Sequence, residues 1–308
     1  MSSTKQIKHL KNREIDYEKW DNCIQQAENR NIYAKSWYLD IVAPNWEALI
    51  FGDYEFVMPL VVGKKLGIKY LFQPVFAQQL GMFPPAKVEI QKEFAWIIYN
   101  KFRFVQIQLN SRNIPEAFDS FKITEKENLV LPLLHPYSVL SSQFSKHTKR
   151  NISKARKGRI QVVKGLNARE FTSLKKQCVK DGVDSKSFVT LERIISRAQM
   201  HGSGIILAAY SSTNNVCSAA FFLRSGNRAV YLNAFSTEEG KKIRAMYAIV
   251  DEFIKEFAGT GLLLDFEGSS IKGVARFYKG FGSAIETYYH LYLNQLPFPL
   301  NLFKKNKL

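Results

Sequence analysis

One order of apolar segments occurs twice along the chain, and it restricts the fold more than any other feature of the sequence. In each copy, three short strands separated by turns are followed by a loop, an amphipathic helix and two more strands. The copies, residues 46–133 and 204–294, are nearly equal in length but share no clear sequence identity. This order predicts an α/β (α+β) protein whose two similar halves carry mixed, mostly antiparallel sheets, with a ligand cleft between the halves.

Apolar periodicity and turn residues set the expected elements. The expected helices are residues 17–28, 33–42, 88–101, 143–157, 171–181, 188–201, 243–257 and 271–279. The expected strands are residues 46–51, 56–62, 68–72, 104–109, 128–133, 205–210, 216–224, 229–235, 262–266 and 285–294, with hairpin turns at 52–53 and 63–67. A boundary near residues 135–145 gives domains 1–138 and 139–308, the second opened by a basic helix.

Composition agrees with two packed cores. Of the 308 residues, 46% are hydrophobic and 13% are aromatic, which is enough for both. No apolar run approaches the roughly 20 residues that span a bilayer, and the first residues are polar and basic, so we expect a cytoplasmic protein. Cys23, Cys178 and Cys217 are few and widely spaced, which indicates reduced thiols. The His residues have no partners at ligand spacing, so no metal is expected.

Positive charge is concentrated in one region. The net charge is +17, and residues 141–180 hold twelve Lys or Arg against one acid, Glu170. Such a face favours an anionic partner: tRNA, a phosphorylated donor or an acidic membrane surface. Within it, the helix expected over residues 143–157 carries an apolar stripe of Phe144, His147, Thr148, Asn151, Ile152 and Ala155. The alternative interpretation is a linker helix with a solvated basic face.

Residues 262–282 combine a buried strand, acidic groups and a helix start. The strand runs into Asp265, Phe266 and Glu267, and Phe266 should point away from the face that both carboxylates share. Gly268, Ser269 and Ser270 then suit a tight turn and a helix cap. Acidic groups beside the free amides of a helix start can form a reactive site. The alternative is that Asp265 and Glu267 are the solvated end of a strand.

A second candidate segment follows the strand at residues 229–235. Gly240, Lys241, Lys242, Arg244 and Ala245 lie where a helix is expected to open, and backbone amides there can hold a pyrophosphate. The alternative is a solvated basic helix start. On the strand itself, Tyr231 and Asn233 alternate toward the expected cleft and are candidates for orienting a substrate, although Tyr231 also suits a core position.

Three segments resemble a known family. These are residues 145–163 (SKHTKRNISKARKGRIQVV), 236–254 (STEEGKKIRAMYAIVDEFI) and 273–282 (GVARFYKGFG). Together with the order of elements, they resemble the FemAB-like transferases, which are built from two tandem GNAT-like (acyl-CoA N-acyltransferase) domains. The resemblance implies an acyltransferase. Because GNAT donors enter between two splayed strands, it also implies that strands 229–235 and 261–266 part from one another.

The last motif bears on the donor. Fem-type peptidyl transferases have a lysine where this chain has Tyr278, with Lys279 one residue later, and the chain has no segment resembling their coiled-coil arm. These two departures from the Fem-type pattern favour an acyl-CoA donor over aminoacyl-tRNA. Residues 239–245 match a GNAT cofactor loop only in part.

Acyl transfer to an amine needs a base and a stabilised oxyanion. We expect Glu267 to be the base and Asp265 the second choice. Tyr278 or Lys279 is expected to supply a proton or bind the oxyanion. Arg276 either binds substrate or forms an ion pair on its helix.

The sequence thus predicts an N-acyltransferase that moves an acyl group from acyl-CoA to an amine. A Fem-type, aminoacyl-tRNA-dependent peptidyl transferase acting on a cell-wall precursor is the second hypothesis. A non-catalytic protein that binds an anionic ligand or nucleic acid is the third.

Overall fold

The computed structural model describes residues 6–179, 184–268 and 271–303. The expected turn residues Ser269 and Ser270, and Lys180 of the basic region, lie outside the described residues. The chain divides into two compact units: unit 1 is Met1–Lys126 with Thr287–Leu308, and unit 2 is Glu127–Glu286. Compact units are not the same as domains that fold alone, so the division into residues 1–138 and 139–308 stays a prediction.

The helices and strands alternate along the chain. The helices are α1 (Tyr17–Gln26), α2 (Ser36–Val42), α3 (Val88–Lys101), α4 (Tyr137–Ser142), α5 (Lys146–Lys157), α6 (Ala168–Cys178), α7 (Ser185–Met200), α8 (Glu238–Ile243), α9 (Ala245–Phe257), α10 (Lys272–Lys279) and α11 (Leu300–Phe303). The strands are β1 (Ile7–Lys11), β2 (Glu47–Phe51), β3 (Phe56–Leu60), β4 (Val62–Lys65), β5 (Ile68–Phe72), β6 (Phe104–Leu109), β7 (Lys122–Pro132), β8 (Gln161–Lys164), β9 (Gly204–Tyr210), β10 (Val216–Ser225), β11 (Arg228–Ser236), β12 (Leu263–Asp265) and β13 (Ala284–Asn294).

Unit 1 contains two groups of strands. β1, β2 and β3 form an antiparallel sheet. In the other group β4 and β5 form a hairpin, β5 runs parallel to β6, and β13 is antiparallel to β6. The core of the unit gathers Leu49, Phe94, Ile98, Val105 and Leu291. The last strand of the chain therefore completes the unit that begins at its first residues.

Unit 2 repeats the second of these groups, because β10, β11, β12 and β7 pair in the same antiparallel, parallel and antiparallel order. Its strands follow the order β7-β12-β11-β10-β9-β8, antiparallel except for the parallel pair of β11 and β12. Helix α9 crosses between the parallel strands and buries Ile249, Val250, Phe253 and Ile254, one apolar stripe at helical spacing. Phe253 stacks on Phe222 of β10 with ring centroids 4.0 Å apart. The predicted α/β class with mixed, mostly antiparallel sheets is confirmed.

Several element boundaries differ from the expected ones. Residues 63–65, expected as a turn, belong to β4, and the turn is Leu66 and Gly67. The basic helix begins at Lys146, because the Ser145 side chain caps it by accepting from the Thr148 amide at 3.1 Å. Of its predicted stripe, Phe144 precedes the helix and is buried, whereas His147 is exposed. Strands β1 and β8 and helices α4 and α11 were not predicted.

The helix expected over residues 243–257 is interrupted at its start. Thr237 caps a separate short helix, α8, by accepting from the Gly240 amide at 3.1 Å. Arg244 then adopts a left-handed conformation with φ of 65°, and α9 starts at Ala245. The prediction that residues 240–245 open a single helix is therefore wrong. They contain the end of α8 and the start of α9.

Candidate functional site

The parallel strands β11 and β12 are hydrogen-bonded partners only at their beginnings. Their register has three pairs, from Arg228 with Leu263 to Val230 with Asp265. Beyond this point β12 has ended, while β11 continues to Ser236. The residues that follow on both sides, 231–234 and 266–268, line a pocket of about 480 Å³. The pocket therefore lies in the wedge where the two strands part, as the sequence predicted for this strand pair.

A β-bulge in β11 lies at this wedge. Phe221 of β10 pairs with Asn233, but the next residue, Phe222, pairs with Tyr231, so Leu232 is the extra residue. A bulge bends the strand and takes one residue out of the hydrogen-bonding ladder. Leu232 lines the pocket. The bulge was not predicted, because a single extra residue leaves no mark in the apolar pattern of the strand.

Asn233, a predicted substrate residue, lines the pocket beside the bulge. Its side-chain oxygen Oδ1 is buried, and within the described part of the chain no donor reaches it. A buried acceptor without a donor is costly unless another molecule satisfies it. The site can therefore accept one hydrogen bond from a bound N–H or O–H group at this position.

Aromatic side chains form one wall of the pocket. Tyr278 stacks on Phe266 with ring centroids 4.8 Å apart and meets Tyr231 edge-on at 5.8 Å. Burial raises the pKa of both phenols above the ordinary value, and for Tyr278 the negative charge of Glu267 adds to the effect. The Tyr231 hydroxyl donates to Met246 Sδ at 3.1 Å. Both tyrosines therefore keep their hydroxyl protons at neutral pH, as ordinary tyrosines do.

Glu267 lies at the mouth of the wedge. Its backbone is in the left-handed region, with φ of 55°, and its amide donates to Asp265 Oδ1 at 2.8 Å. The next residue, Gly268, passes so close to the Glu127 carbonyl oxygen that a side chain would collide with it. These two constraints fix the turn, and Glu267 lines the pocket. The position suits a general base.

Asp265 belongs to a buried polar network. It is 1% exposed, and its carboxylate accepts from Arg228 Nη1 at 2.8 Å and from Asn128 Nδ2 at 3.0 Å. Arg228 also donates to both carboxylate oxygens of Glu286, at 2.7 and 2.8 Å. Burial raises the pKa of Asp265, and the Arg228 charge opposes this rise. Asp265 is not in the pocket wall, so of the two predicted carboxylates only Glu267 faces the pocket.

Three basic side chains line the pocket. Lys241 and Arg244 come from the predicted cofactor segment, and Lys175 comes from α6. The Lys175 ammonium donates to the Ala234 carbonyl oxygen of β11 at 3.0 Å, and burial lowers its pKa. Gly240 also lines the pocket, packed so tightly on β10 that a Cβ would strike the Cys217 carbonyl oxygen. With the single acid Glu267, the described lining carries a net positive charge.

The other predicted site residues lie outside the pocket wall. They are Lys242, Ala245, Arg276 and Lys279. Ala245 is buried in the core of unit 2. Lys279 Nζ is 3.4 Å from Glu127 Oε2 in an exposed ion pair. Their functional roles stay predictions, but none of the four contributes to the pocket surface.

Sequence reasoning missed Lys175 as a pocket residue. It was counted in the basic region as one of many charged positions. The signal that separates it from Lys176 is the helical stripe of α6, whose buried residues are Ala168, Phe171 and Thr172. Lys175 follows these residues by seven, four and three positions and lies near the middle of the stripe, whereas Lys176 lies at its edge.

The hairpin–helix–strand order, the wedge between parallel strands and the bulge beside it define a GNAT-type, acyltransferase-like fold. No family model matches the chain, and no curated protein matches it. Solved structures do match it, and their similarity identifies the fold more narrowly as FemAB-like. The crystal structure of FemX matches with a TM-score of 0.69 and 13% identity over 97% of this chain and 99% of that one.

Two further solved structures are similar over most of their length. The C-terminal DUF2156 domain assigned to a lysylphosphatidylglycerol synthetase of Agrobacterium fabrum has a TM-score of 0.61 and 9% identity, covering 95% of each chain. The structure of L-PGS from Bacillus licheniformis has a TM-score of 0.57 and 11% identity over 94% of this chain and 95% of that one. At such identities the likeness is one of fold.

Metal ligands and membrane-spanning helices were also sought in the described chain. In residues 6–179, 184–268 and 271–303, no three His, Cys, Asp or Glu side chains are grouped so that they could hold a metal ion. Over the same residues, every helix is too short or too polar to cross a membrane.

Proposed function

We propose that the protein is an N-acyltransferase that moves an acyl group from an acyl-CoA to an amine. The observation that carries this proposal is the wedge between β11 and β12, with its pocket of about 480 Å³. A wedge between parallel strands exposes the backbone edge of β11 to a long, narrow donor. The donor's acyl end would lie beside the bulge, near Glu267 and Tyr278.

The basic residues of the pocket support an anionic donor. Lys241 and Arg244 stand where α8 ends and α9 begins, and the positive end of the α9 dipole adds to their charge. A pyrophosphate of coenzyme A carries the matching negative charge. Gly240 allows this segment to lie directly against β10. These residues would hold the donor, although residues 240–245 lack a complete glycine-rich loop.

Glu267 and Tyr278 divide the proton transfers. Glu267 accepts the proton that the amine loses as its nitrogen attacks the thioester carbonyl carbon. Tyr278, kept neutral by burial and by the Glu267 charge, donates its proton to the sulfur as the C–S bond breaks. Asn233 Oδ1 and Lys175 remain to hold polar groups of the substrates. Entry of the amine from between the two halves stays a prediction.

The network behind the pocket has a positioning role in this mechanism. Asp265 accepts from the Glu267 amide and is itself held by Arg228 and Asn128. Both oxygens of its carboxylate thus already accept hydrogen bonds, and the group is buried. We propose that Asp265 orients the turn that carries Glu267 rather than acting as the base.

The test combines calorimetry with a transfer assay. Acetyl-CoA and longer acyl-CoAs are titrated into the protein, and thiol release is followed with a panel of amines. The Glu267→Gln variant should bind acyl-CoA with an affinity near that of the unmodified protein but lose about 10²–10⁴-fold in transfer rate. Failure of every acyl-CoA to bind would overturn the donor assignment. Unchanged transfer by Glu267→Gln would overturn the base assignment.

One observation favours a second candidate, an aminoacyl-tRNA donor. Helix α5 buries Thr148, Asn151, Ile152 and Ala155 and leaves its Lys and Arg side chains on the outside. A continuous basic face of this kind suits phosphates of RNA. In this case charged tRNA, but not acyl-CoA, should bind with a strong dependence on salt. Binding of neither ligand, with Glu267→Gln neutral in cells, would instead favour a non-catalytic protein.

A further inference from the structure

The hairpin between β4 and β5 in unit 1 carries a leucine where its backbone favours another residue. The register pairs Lys65 with Ile68, leaving a two-residue turn of Leu66 and Gly67. Both have positive φ, 50° and 79°, as a type I′ turn requires. Such turns prefer Asn or Gly at the first position, because a branched side chain is strained in the left-handed region.

Among the described residues, Leu66 gains little burial in return for this strain. It is 78% exposed, at the tip of the hairpin. Asparagine would relieve the backbone and remove an apolar side chain from water. A residue that is unfavourable in both respects indicates a contact with something outside the described fold.

The segment that follows β13 brings more exposed apolar side chains to the same place. Leu296 and Leu300 line, with Leu66, a groove of about 270 Å³. Next to them in the chain, Phe298 is 79% exposed and Leu302 is 55% exposed. Single exposed apolar residues are common, but three around one apolar groove form a patch.

Lysines surround this patch, and acids are missing from its segments. Lys64, Lys65 and Lys69 flank the tip and are exposed. The sequence has no Asp or Glu in residues 56–88 or 287–308. This surface thus combines protruding apolar side chains with positively charged lysines around them.

We propose that this hairpin-tip surface, Lys64, Lys65, Leu66, Lys69, Phe298 and Leu302, docks onto an anionic lipid bilayer. Lysine is depleted in protein interfaces, whereas lysines close to an anionic membrane each add to its attraction. Protruding apolar side chains enter the boundary between head groups and acyl chains. The contact is peripheral and does not depend on acyl transfer.

The test is co-sedimentation of the full chain with vesicles. One set is phosphatidylcholine alone, and the other contains about 30% phosphatidylglycerol. The key variant is Leu66→Asn, which should raise the melting temperature, because it suits the turn, and weaken binding to the anionic vesicles about tenfold. Phe298→Ser should also weaken binding. Lys64→Gln combined with Lys65→Gln should reduce the preference for anionic vesicles.

A matched control comes from the same unit. Trp96 on α3 is 68% exposed, a fraction between those of Leu302 and Leu66, so Trp96→Ser removes an exposed apolar side chain from another surface and should leave binding unchanged. The proposal is overturned if Leu66→Asn binds vesicles as well as the unmodified chain. It is also overturned if binding is lost only when Lys146, Arg150 and Lys154 of α5 are replaced by Gln. Self-association in sedimentation velocity that Leu66→Asn abolishes, without vesicle binding, would replace the bilayer with a second copy of the chain.

Discussion

The backbone amide of Glu267 donates a 2.8 Å hydrogen bond to the carboxylate of Asp265, two residues earlier in the chain. One carboxylate thereby holds the turn on which the other is presented to the pocket. Because Asp265 is anchored in turn by Arg228, the position of Glu267 depends on a buried ion pair outside the pocket wall. Four predictions follow from this arrangement and from the surrounding pocket.

Arg228→Met should destabilise unit 2 by about 3–5 kcal/mol at neutral pH, because it leaves the carboxylate of Asp265 buried without its cation. The pKa of Asp265 is already raised by burial, and loss of Arg228 should raise it further. The unfolded chain then ionises at a lower pH than the folded one. Stability should therefore be greatest in acid and fall as pH rises through the raised pKa. Urea denaturation between about pH 4 and 8 measures this.

Lys164→Met is the matched control for this variant. It removes an ion pair with Glu256 in which the lysine side chain is 56% exposed, so the cost should stay below about 1 kcal/mol. If the two variants lost the same free energy of unfolding, burial would not strengthen the contribution of the Arg228 ion pair to stability.

Tyr278→Phe should reduce acyl transfer about 10²-fold while leaving acyl-CoA affinity nearly unchanged. The ring stack on Phe266 is retained, so stability should change by no more than about 1 kcal/mol. Stopped-flow transfer and thermal denaturation measure the two effects. Tyr137→Phe, whose hydroxyl bonds Asp251 at 2.7 Å and lies outside the pocket wall, should keep its transfer rate. A normal rate for Tyr278→Phe would exclude it as the proton donor.

Lys175 should react with an amine-acylating reagent at lower pH than a free lysine side chain does. Burial lowers its pKa, so a larger fraction is neutral and nucleophilic at a given pH. Mass spectrometry of tryptic peptides, over a range of pH, gives the midpoint for each lysine. Acyl-CoA should protect Lys175 and leave the exposed Lys176 reactive. Labelling of Lys175 that acyl-CoA does not slow would place the donor elsewhere.

Gly240→Ala should destabilise the protein by about 1–3 kcal/mol and weaken acyl-CoA binding. The added methyl group would collide with the Cys217 carbonyl oxygen, so α8 must move, and Lys241 moves with it. Calorimetry and thermal denaturation follow the two effects. Gly273→Ala is the control: it also lies in the pocket wall and in a helix, but a methyl group there meets no atom of the described residues within 4 Å. That variant should not be destabilised.

Periodicity along a single element was readable from the sequence. The helix expected over residues 188–201 lies within α7, and its apolar residues at helical spacing, from Phe188 to Ala198, are buried, because one such stripe has a single way to leave water. The two predicted strands of the wedge were also found, because their signal is equally local. Each is a short apolar run with a turn at its end.

Pairing between distant residues was not readable. Asp265 and Arg228 are 37 residues apart, and nothing in the local pattern around Asp265 distinguishes an enclosed carboxylate from an exposed one. The break between α8 and α9 at Arg244 was not readable either. Helix propensity and apolar spacing continue through Arg244, yet its backbone is left-handed and ends α8 there, which no local pattern marks.

The pairing of β13 with β6 also bears on synthesis at the ribosome. Residues 6–126 emerge first, but the strand that completes β6 is made only after all of unit 2. Until then, the backbone edge of β6 has to be kept from pairing with other chains. The unit that is begun first is thus finished last, and a fragment cut after residue 138 would carry an open sheet edge.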